Sequence, residues 1–247
     1  MIHYHHCPLC RSREIQFVLR AKDYTVSGDF FEIWECSACK ARFTQDVPGK
    51  EEIGTYYKAE SYISHSDTRK GLVNKLYHLV RSRTVSGKRK LIEQFTGKMQ
   101  GTILDVGSGT GFFLHEMKKA GWQTEGVEPD EGARAAARRF YNLDIKPADT
   151  FFNLEENKFD AITLWHVLEH VHELHEYLEK LKRLLKPDGK LFIAVPNYTS
   201  YDATVYKEYW AAYDVPRHLY HFAPQSMELL LRNHQFNLTG TKPMWYD

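Results

Sequence analysis

The feature that most constrains this fold is the run Ile103-Leu-Asp-Val-Gly-Ser-Gly-Thr-Gly-Phe-Phe-Leu114. Thr102–Val106 reads as a buried strand, and Phe112–Ala120 has the spacing of a helix. Only the turn Gly107-Ser-Gly-Thr-Gly111 lies between them. Glycines there reach positive φ and let the backbone approach a ligand with no Cβ in the way. A strand turning so tightly into a helix opens a parallel α/β unit, whose ligands lie beyond the carboxyl ends of the strands.

The alternation continues along the chain. Gln123–Val127 is a second strand, Glu131–Tyr141 a helix and Asp144–Lys146 a short third strand. Asp160–Trp165 is the fourth, and His172–Lys186 is an amphipathic helix through Leu174, Leu178, Leu181 and Leu185. Pro187-Asp-Gly189 stops that helix, and Lys190–Val195 is the fifth strand. This predicts an α/β fold with a Rossmann-like, doubly wound, mostly parallel sheet.

The glycines fall as GxGxG, whereas dinucleotide folds show GxGxxG. The second strand ends in Val127-Glu-Pro-Asp130, where Glu128 can take both hydroxyls of a ribose. Such an acid suits NAD as well as an adenosyl ligand, so it leaves both open. Four segments then stand in order: LDVGSGTG at 104–111, VEPD at 127–130, DAITLWHVLEHV at 160–171 and LKPDGKLFIAVPN at 185–197. Together they resemble the class I S-adenosylmethionine-dependent methyltransferases. The resemblance implies S-adenosyl-L-methionine as cofactor and S-adenosyl-L-homocysteine as product. Asp105, Gly107, Ser108, Gly109, Gly111 and Phe112 would then line the methionine portion, and Glu128 with Pro129 the ribose. Asp149 and Thr150 would lie near the adenine amino group, and Trp165 and His166 near the methyl. Glu169 and His170 read as the cap of the next helix, although that helix start supplies metal ligands in some related O-methyltransferases.

All four cysteines lie in the first forty residues, as Cys7-Pro-Leu-Cys10 and Cys36-Ser-Ala-Cys39. Two CxxC loops converge four thiolates on one ion, which reads as structural Zn2+. Short strands around a turn at Ser27-Gly-Asp29 make residues 1–46 a zinc ribbon. In so small a module the metal is expected to supply much of the folding free energy. Residues 47–98 form a connector and helical cap, with an apolar face at Leu72, Val73, Leu76, Tyr77, Leu79 and Val80. Tyr57, Tyr62 and His65 are expected to fold over the donor.

The methyltransferase domain spans 99–247, with an acceptor-side insertion at 197–224 crowded with rings. Its DVPRHLYHF segment resembles a subgroup, often carrying a zinc ribbon in front, some of whose members modify sugars or other small metabolites. Tyr209, Trp210 and Tyr213 are expected to line the acceptor, and Arg217 to anchor an anionic group on it. Histidine suits the removal of an acceptor proton, with His221 or His218 first and His166 third. Folds of this class end with two more strands, but Asn237–Asp247 has length for one. Either the chain is incomplete or a neighbouring subunit, as in a homodimer, covers that edge.

Composition excludes several classes. A net charge of +1 gives no reason to expect nucleic acid, and the basic runs Arg81–Lys90 and Arg134–Arg139 read as solvated helix faces. No apolar stretch is long enough for a membrane span, and the polar N-terminus has no signal segment, which together place the chain in the cytoplasm. Two alternatives remain: an NAD-dependent oxidoreductase, and a ribbon-based binding protein whose methyltransferase-like domain is inactive.

Overall fold

The computed structural model describes residues 1–57 and 72–244, with backbone alone over 72–80 and at 82. It begins with β1 (Ile15–Lys22), β2 (Phe30–Cys36), β3 (Arg42–Thr44) and α1 (Leu72–Thr96). Then come β4 (Thr102–Val106), α2 (Phe112–Lys119), β5 (Gln123–Val127), α3 (Glu131–Tyr141) and β6 (Phe159–Trp165). α4 (Leu174–Leu184), β7 (Leu185–Ala194), α5 (Tyr201–Tyr206), β8 (Tyr220–His221) and α6 (Pro224–Asn233) follow. Two compact units are interleaved along the chain. A cysteine unit takes Met1–Ser64, His166–Glu179 and Ala194–Thr239, and a glycine-turn unit takes His65–Trp165, Lys180–Ile193 and Gly240–Asp247. Their borders differ from the composition changes at 46 and 98.

In the glycine-turn unit the strand order is β5-β4-β6-β7. β4 lies parallel to β5, with Val106 beside Val127, and parallel to β6, with Ile103 beside Ala161. This is the mostly parallel sheet that the alternation predicts. Val85 and Ile92 of α1 pack with Ile103, Leu114, Met117, Trp122 and Ala161 into one core. α3 starts where the Asp130 carboxylate accepts the Ala133 N–H at 2.6 Å, and it ends at Asn142 in the left-handed region.

Three boundaries differ from the sequence reading. α4 ends at Leu184 rather than Lys186, because the Lys158 N–H donates to Leu184 O at 3.0 Å. β7 begins at once and runs through Pro187-Asp-Gly189, where Gly189 abuts backbone: a Cβ there would lie 2.8 Å from Phe159 O. The third strand is a single bridge, Val127 to Lys146. Among the described residues no strand follows β8, although 245–247 of the expected Asn237–Asp247 strand lie outside them.

In the cysteine unit β1 and β2 form the expected antiparallel hairpin, with a bulge between Phe17 and Leu19. Asp23 organises its turn, accepting N–H bonds from Thr25, Val26 and Ser27. β3 pairs with β2 on one side and with β8 on the other, so the sheet order is β1-β2-β3-β8. The hairpin thus gains its fourth strand from the 197–224 segment. Tyr213 and Val215 of that segment pack on Ala21, Phe31 and Ile33. A ribbon too small for its own core obtains one in this way. No helix among the described residues is long and apolar enough to cross a membrane.

Candidate active site

Within the glycine-turn unit, Gly107, Gly109 and Gly111 all adopt positive φ, at 73°, 51° and 77°. The turn is closed by the Gly107 and Ser108 N–H groups, which both donate to Val127 O. Ser108 is buried, and its hydroxyl donates to Asp105 O at 2.7 Å, so it holds the turn from beneath. A Cβ at Gly109 would meet nothing within 4 Å, whereas one at Gly111 would press on Ile145, Ala137 and Leu143 at 3.0–3.1 Å. Gly109 therefore faces open space and Gly111 faces the core.

Glu128 sits at the carboxyl end of β5, buried to 8% exposure. Its carboxylate accepts the Gly109 N–H at 2.8 Å and the Asp130 N–H at 3.0 Å. Burial raises its pKa, and these two bonds oppose the rise. The Pro129 carbonyl accepts from Arg134 at 2.6 Å. Asp105 is buried, and burial pushes its carboxyl up to about 7 against the Thr163 hydroxyl, which donates at 2.6 Å. Asp149 is exposed in the short helix Ala148–Asn153, and beside it the Thr150 hydroxyl donates to Pro147 O at 2.7 Å.

Trp165 ends β6 edge-on to Phe113, with Lys88 Nζ 4.3 Å from its ring centroid. Arg81 donates to the Thr110 hydroxyl at 3.2 Å and lies over Phe112 at 4.2 Å. The sequence pattern of Arg81–Lys90 predicts a solvated helix face. Instead these two cations cover rings at the glycine turn, and the aromatic residues following the motif are the signal for it.

The chain returns to the cysteine unit at His166, whose φ is +56° and whose N–H donates to Ala194 O. Glu169 is 0% exposed, and among the described residues neither of its carboxylate oxygens accepts a hydrogen bond; His166 Nδ1 stands 3.4 Å from one of them. His170 and His218 meet edge to face at 4.6 Å. His170 Nδ1 faces Arg217 O at 3.0 Å and the Tyr57 hydroxyl at 2.9 Å, while His218 Nδ1 faces Ala212 O at 2.8 Å. Each Nδ1–H thus donates to a carbonyl, which leaves Nε2 as the basic nitrogen. Burial, then the neighbouring His218, lowers His170 to about 4, and burial lowers His218. One ligand atom each from Glu169, His170 and His218 lie within 4.8 Å of one another. Glu169, which the sequence offers as a helix cap or, by resemblance, a metal ligand, is buried here close to His170 and His218. An acid set among apolar Val167, Leu168 and Val171 is the signal of that burial.

Other expected acceptor residues have different surroundings. His221 is buried, with Nε2 3.1 Å from the Thr44 hydroxyl, so it is held inside the β3–β8 pairing rather than offered to an acceptor. Arg217 is 1% exposed and satisfied internally: it donates twice to Asp214 and once to Tyr56 O, with Asp23 at 3.5 Å. Such a guanidinium has no face left for a ligand anion. Tyr213 is buried, with its hydroxyl accepting from Arg42 at 2.9 Å, and Trp210 packs edge-on against it. Tyr209 is exposed. Tyr62 and His65, expected over the donor, lie outside the described residues.

In the N-terminal knuckles the sulfurs of Cys7 and Cys39 are 3.5 Å apart and those of Cys10 and Cys36 are 3.6 Å apart. Four thiolates bound at ~2.3 Å in a tetrahedron lie about 3.8 Å from one another, so the quartet fits Zn2+. Arg11 and Lys40, each following the second cysteine of its pair, both take left-handed φ, at 65° and 60°.

Comparison with known proteins agrees with this geometry. The methyltransferase-domain family matches residues 80–240, and the chain belongs to it, as a class I S-adenosylmethionine-dependent methyltransferase. It is 28% identical over 160 residues to a ubiquinone biosynthesis O-methyltransferase of Xanthomonas oryzae, covering 59% of this chain and 66% of that protein. It is 31% identical over 126 residues to a demethylmenaquinone methyltransferase of Renibacterium salmoninarum, covering 49% and 53%. The chain therefore spans about half to two thirds of these relatives' length. The fold is shared with 1,6-didemethyltoxoflavin-N1-methyltransferase of Burkholderia thailandensis, solved with 1,6-didemethyltoxoflavin and S-adenosylhomocysteine. That match has a TM-score of 0.54 at 18% identity, over 87% of this chain and 88% of that one.

Proposed function

We propose that this protein transfers the methyl group of S-adenosyl-L-methionine to a small molecule. The observation that carries the reading is Glu128, fixed by the Gly109 and Asp130 N–H groups at the end of β5 where a ribose diol would lie. Gly109 gives backbone access to the donor, Trp165 borders it, and exposed Asp149 with Thr150 receives the adenine. Lys88 and Arg81 are cations suited to the donor's carboxylate.

The donor supplies a methyl on a sulfonium, and transfer is an in-line displacement. The acceptor's nucleophilic atom bonds to the methyl carbon, and the carbon–sulfur electron pair returns to sulfur. The protein aligns the two and excludes water. On the acceptor side His218 is the base: kept neutral by burial and oriented through Ala212 O, its Nε2 takes the acceptor proton. Buried Glu169 stabilises the imidazolium that results, with His166 beside it. Acceptors with an acidic hydroxyl or an acidic carbon fit this chemistry, among them phenols, sugars and other metabolites. The names of the two curated relatives favour a small molecule over a macromolecule.

Turnover read as S-adenosylhomocysteine release, across phenol, sugar and carboxylic-acid acceptors, tests the reading. His218→Asn should lower kcat at least roughly a hundredfold while donor affinity stays unchanged. Full activity in that variant would remove His218 from the chemistry.

A second reading of the same centre rests on the two Glu169 oxygens, which accept no hydrogen bond among the described residues. A divalent cation held by Glu169, His170 and His218 would satisfy them and would acidify a bound hydroxyl. Chelated, zinc-reconstituted protein that regains turnover with Mg2+ or Mn2+ supports it, and full activity without either refutes it.

The four cysteines hold structural Zn2+, and their reduced state fits the cytoplasm. β7 is an edge of its sheet among the described residues, and a second copy would cover it in a homodimer; light scattering tests this.

A further inference from the structure

Both cysteine knuckles are gripped from outside the ribbon, each through a backbone carbonyl. His175 of α4 reaches the first knuckle, with Nε2 2.9 Å from Pro8 O and Nδ1 2.8 Å from His234 Nε2. Since a carbonyl only accepts, the His175 Nε2–H donates to Pro8, which leaves Nδ1 to accept from His234. Tyr198 reaches the second knuckle: its hydroxyl donates to Lys40 O at 2.6 Å, and the Arg42 guanidinium lies over its ring at 4.1 Å. Lys40 closes that knuckle, with its own N–H on Cys36 O at 2.8 Å. An ion held by the four thiolates would fix the winding of both loops, and with it the direction of these carbonyls.

The two rings belong to the segments that carry the acceptor centre. His175 lies five residues beyond His170, in the same unit. The Tyr198 N–H donates to Phe222 O at 3.1 Å, next to His221. A third tie is Thr44, fully buried at the end of the ribbon, whose hydroxyl donates to His218 O at 2.7 Å while its N–H donates to Leu219 O at 3.0 Å. All of these residues lie in the cysteine unit, whereas Gly107, Gly109, Glu128 and Asp149 lie in the other.

We propose that the ribbon is a metal-dependent brace of the acceptor centre: zinc fixes the knuckle carbonyls, and through His175, Tyr198 and Thr44 these position Glu169, His170 and His218 but not the donor residues. The inference rests on the acceptor centre proposed above. The three tethers are positioning residues. Zinc loss would therefore disable methyl acceptance while leaving donor binding intact.

Hydrogen exchange of the full chain, with and without zinc, tests it alongside titration with S-adenosylhomocysteine. Removing zinc with a chelator should speed exchange in residues 166–175 and 197–222 by roughly tenfold or more. Donor affinity should stay within about threefold. A second arm keeps the metal. His175→Phe should loosen 166–175 in zinc-loaded protein, and His175→Gln, which retains an N–H for Pro8 O, should restore protection. A merely apolar packing role would favour Phe over Gln. Unchanged exchange on zinc removal, no rescue by Gln, or equal loosening of β4 and β5 would each overturn the brace. Because exchange is read without turnover, a failed acceptor assignment at His218 would show separately, as an active His218→Asn enzyme.

Discussion

Asp105 is a carboxyl in surroundings that disfavour its charge. Burial holds its pKa near 7 in the folded chain, while an unfolded aspartate titrates near ~3.9. The folded state thus binds this proton more tightly, and the side chain's contribution to stability falls as pH rises from about 4 through about 7. Asp105→Asn keeps the shape and accepts the Thr163 hydrogen bond without a charge. Urea midpoints of the variant should be flatter than the parent's across that window, and parallel slopes would contradict the burial argument. Gly111 makes a steric case. At φ 77°, with Ile145, Ala137 and Leu143 within 3.0–3.1 Å of a Cβ, Gly111→Ala should cost ~1–3 kcal/mol. It should lower the melting temperature by about 5 °C. An unshifted melting curve would mean that the turn relaxes.

At the level of elements, the start of β6 is anchored by charge. Asp160 is 4% exposed, and burial alone would raise its pKa. Bonds from Lys186 at 2.7 Å, Lys98 at 2.5 Å and the Thr102 N–H at 2.8 Å outweigh burial and hold it at about 2. A depressed carboxyl contributes stability that is present above ~4 and lost as pH falls through about 2. Asp160→Asn should remove ~2 kcal/mol at pH 7 and flatten acid unfolding between those values, as circular dichroism would show. The same stretch of chain shows what periodicity can tell. β4 and β6 were legible because mostly apolar runs bounded by glycine or polar residues leave little choice. The α4–β7 border was not, because Leu185 continues the helical spacing while a contact distant in sequence, Lys158 to Leu184, ends the helix. The basic run of α1 likewise reads as solvated until Phe112 and Trp165 are placed beneath Arg81 and Lys88.

For the whole molecule, the class of protein was legible in the sequence, whereas the surroundings of His221 and Arg217 on the expected acceptor side were not. Donor residues lie in contiguous motifs on consecutive strands, so order and spacing carry them. The proposed acceptor centre joins Glu169 and His170 to His218 across nearly fifty residues, and no local pattern reports that His221 and Arg217 turn inward to Thr44, Asp214 and Asp23. The β3–β8 pairing, which merges the ribbon with the insertion, is equally invisible, since each strand is three residues or fewer. Everything proposed for this protein depends on an adenosyl donor binding at Glu128 and the glycine turn. Isothermal titration of the zinc-loaded protein with S-adenosylhomocysteine, beside Glu128→Ala, tests it most directly. Micromolar binding by the parent and at least roughly a hundredfold loss in the variant are expected. No binding by the folded parent, or equal binding by the variant, would contradict it.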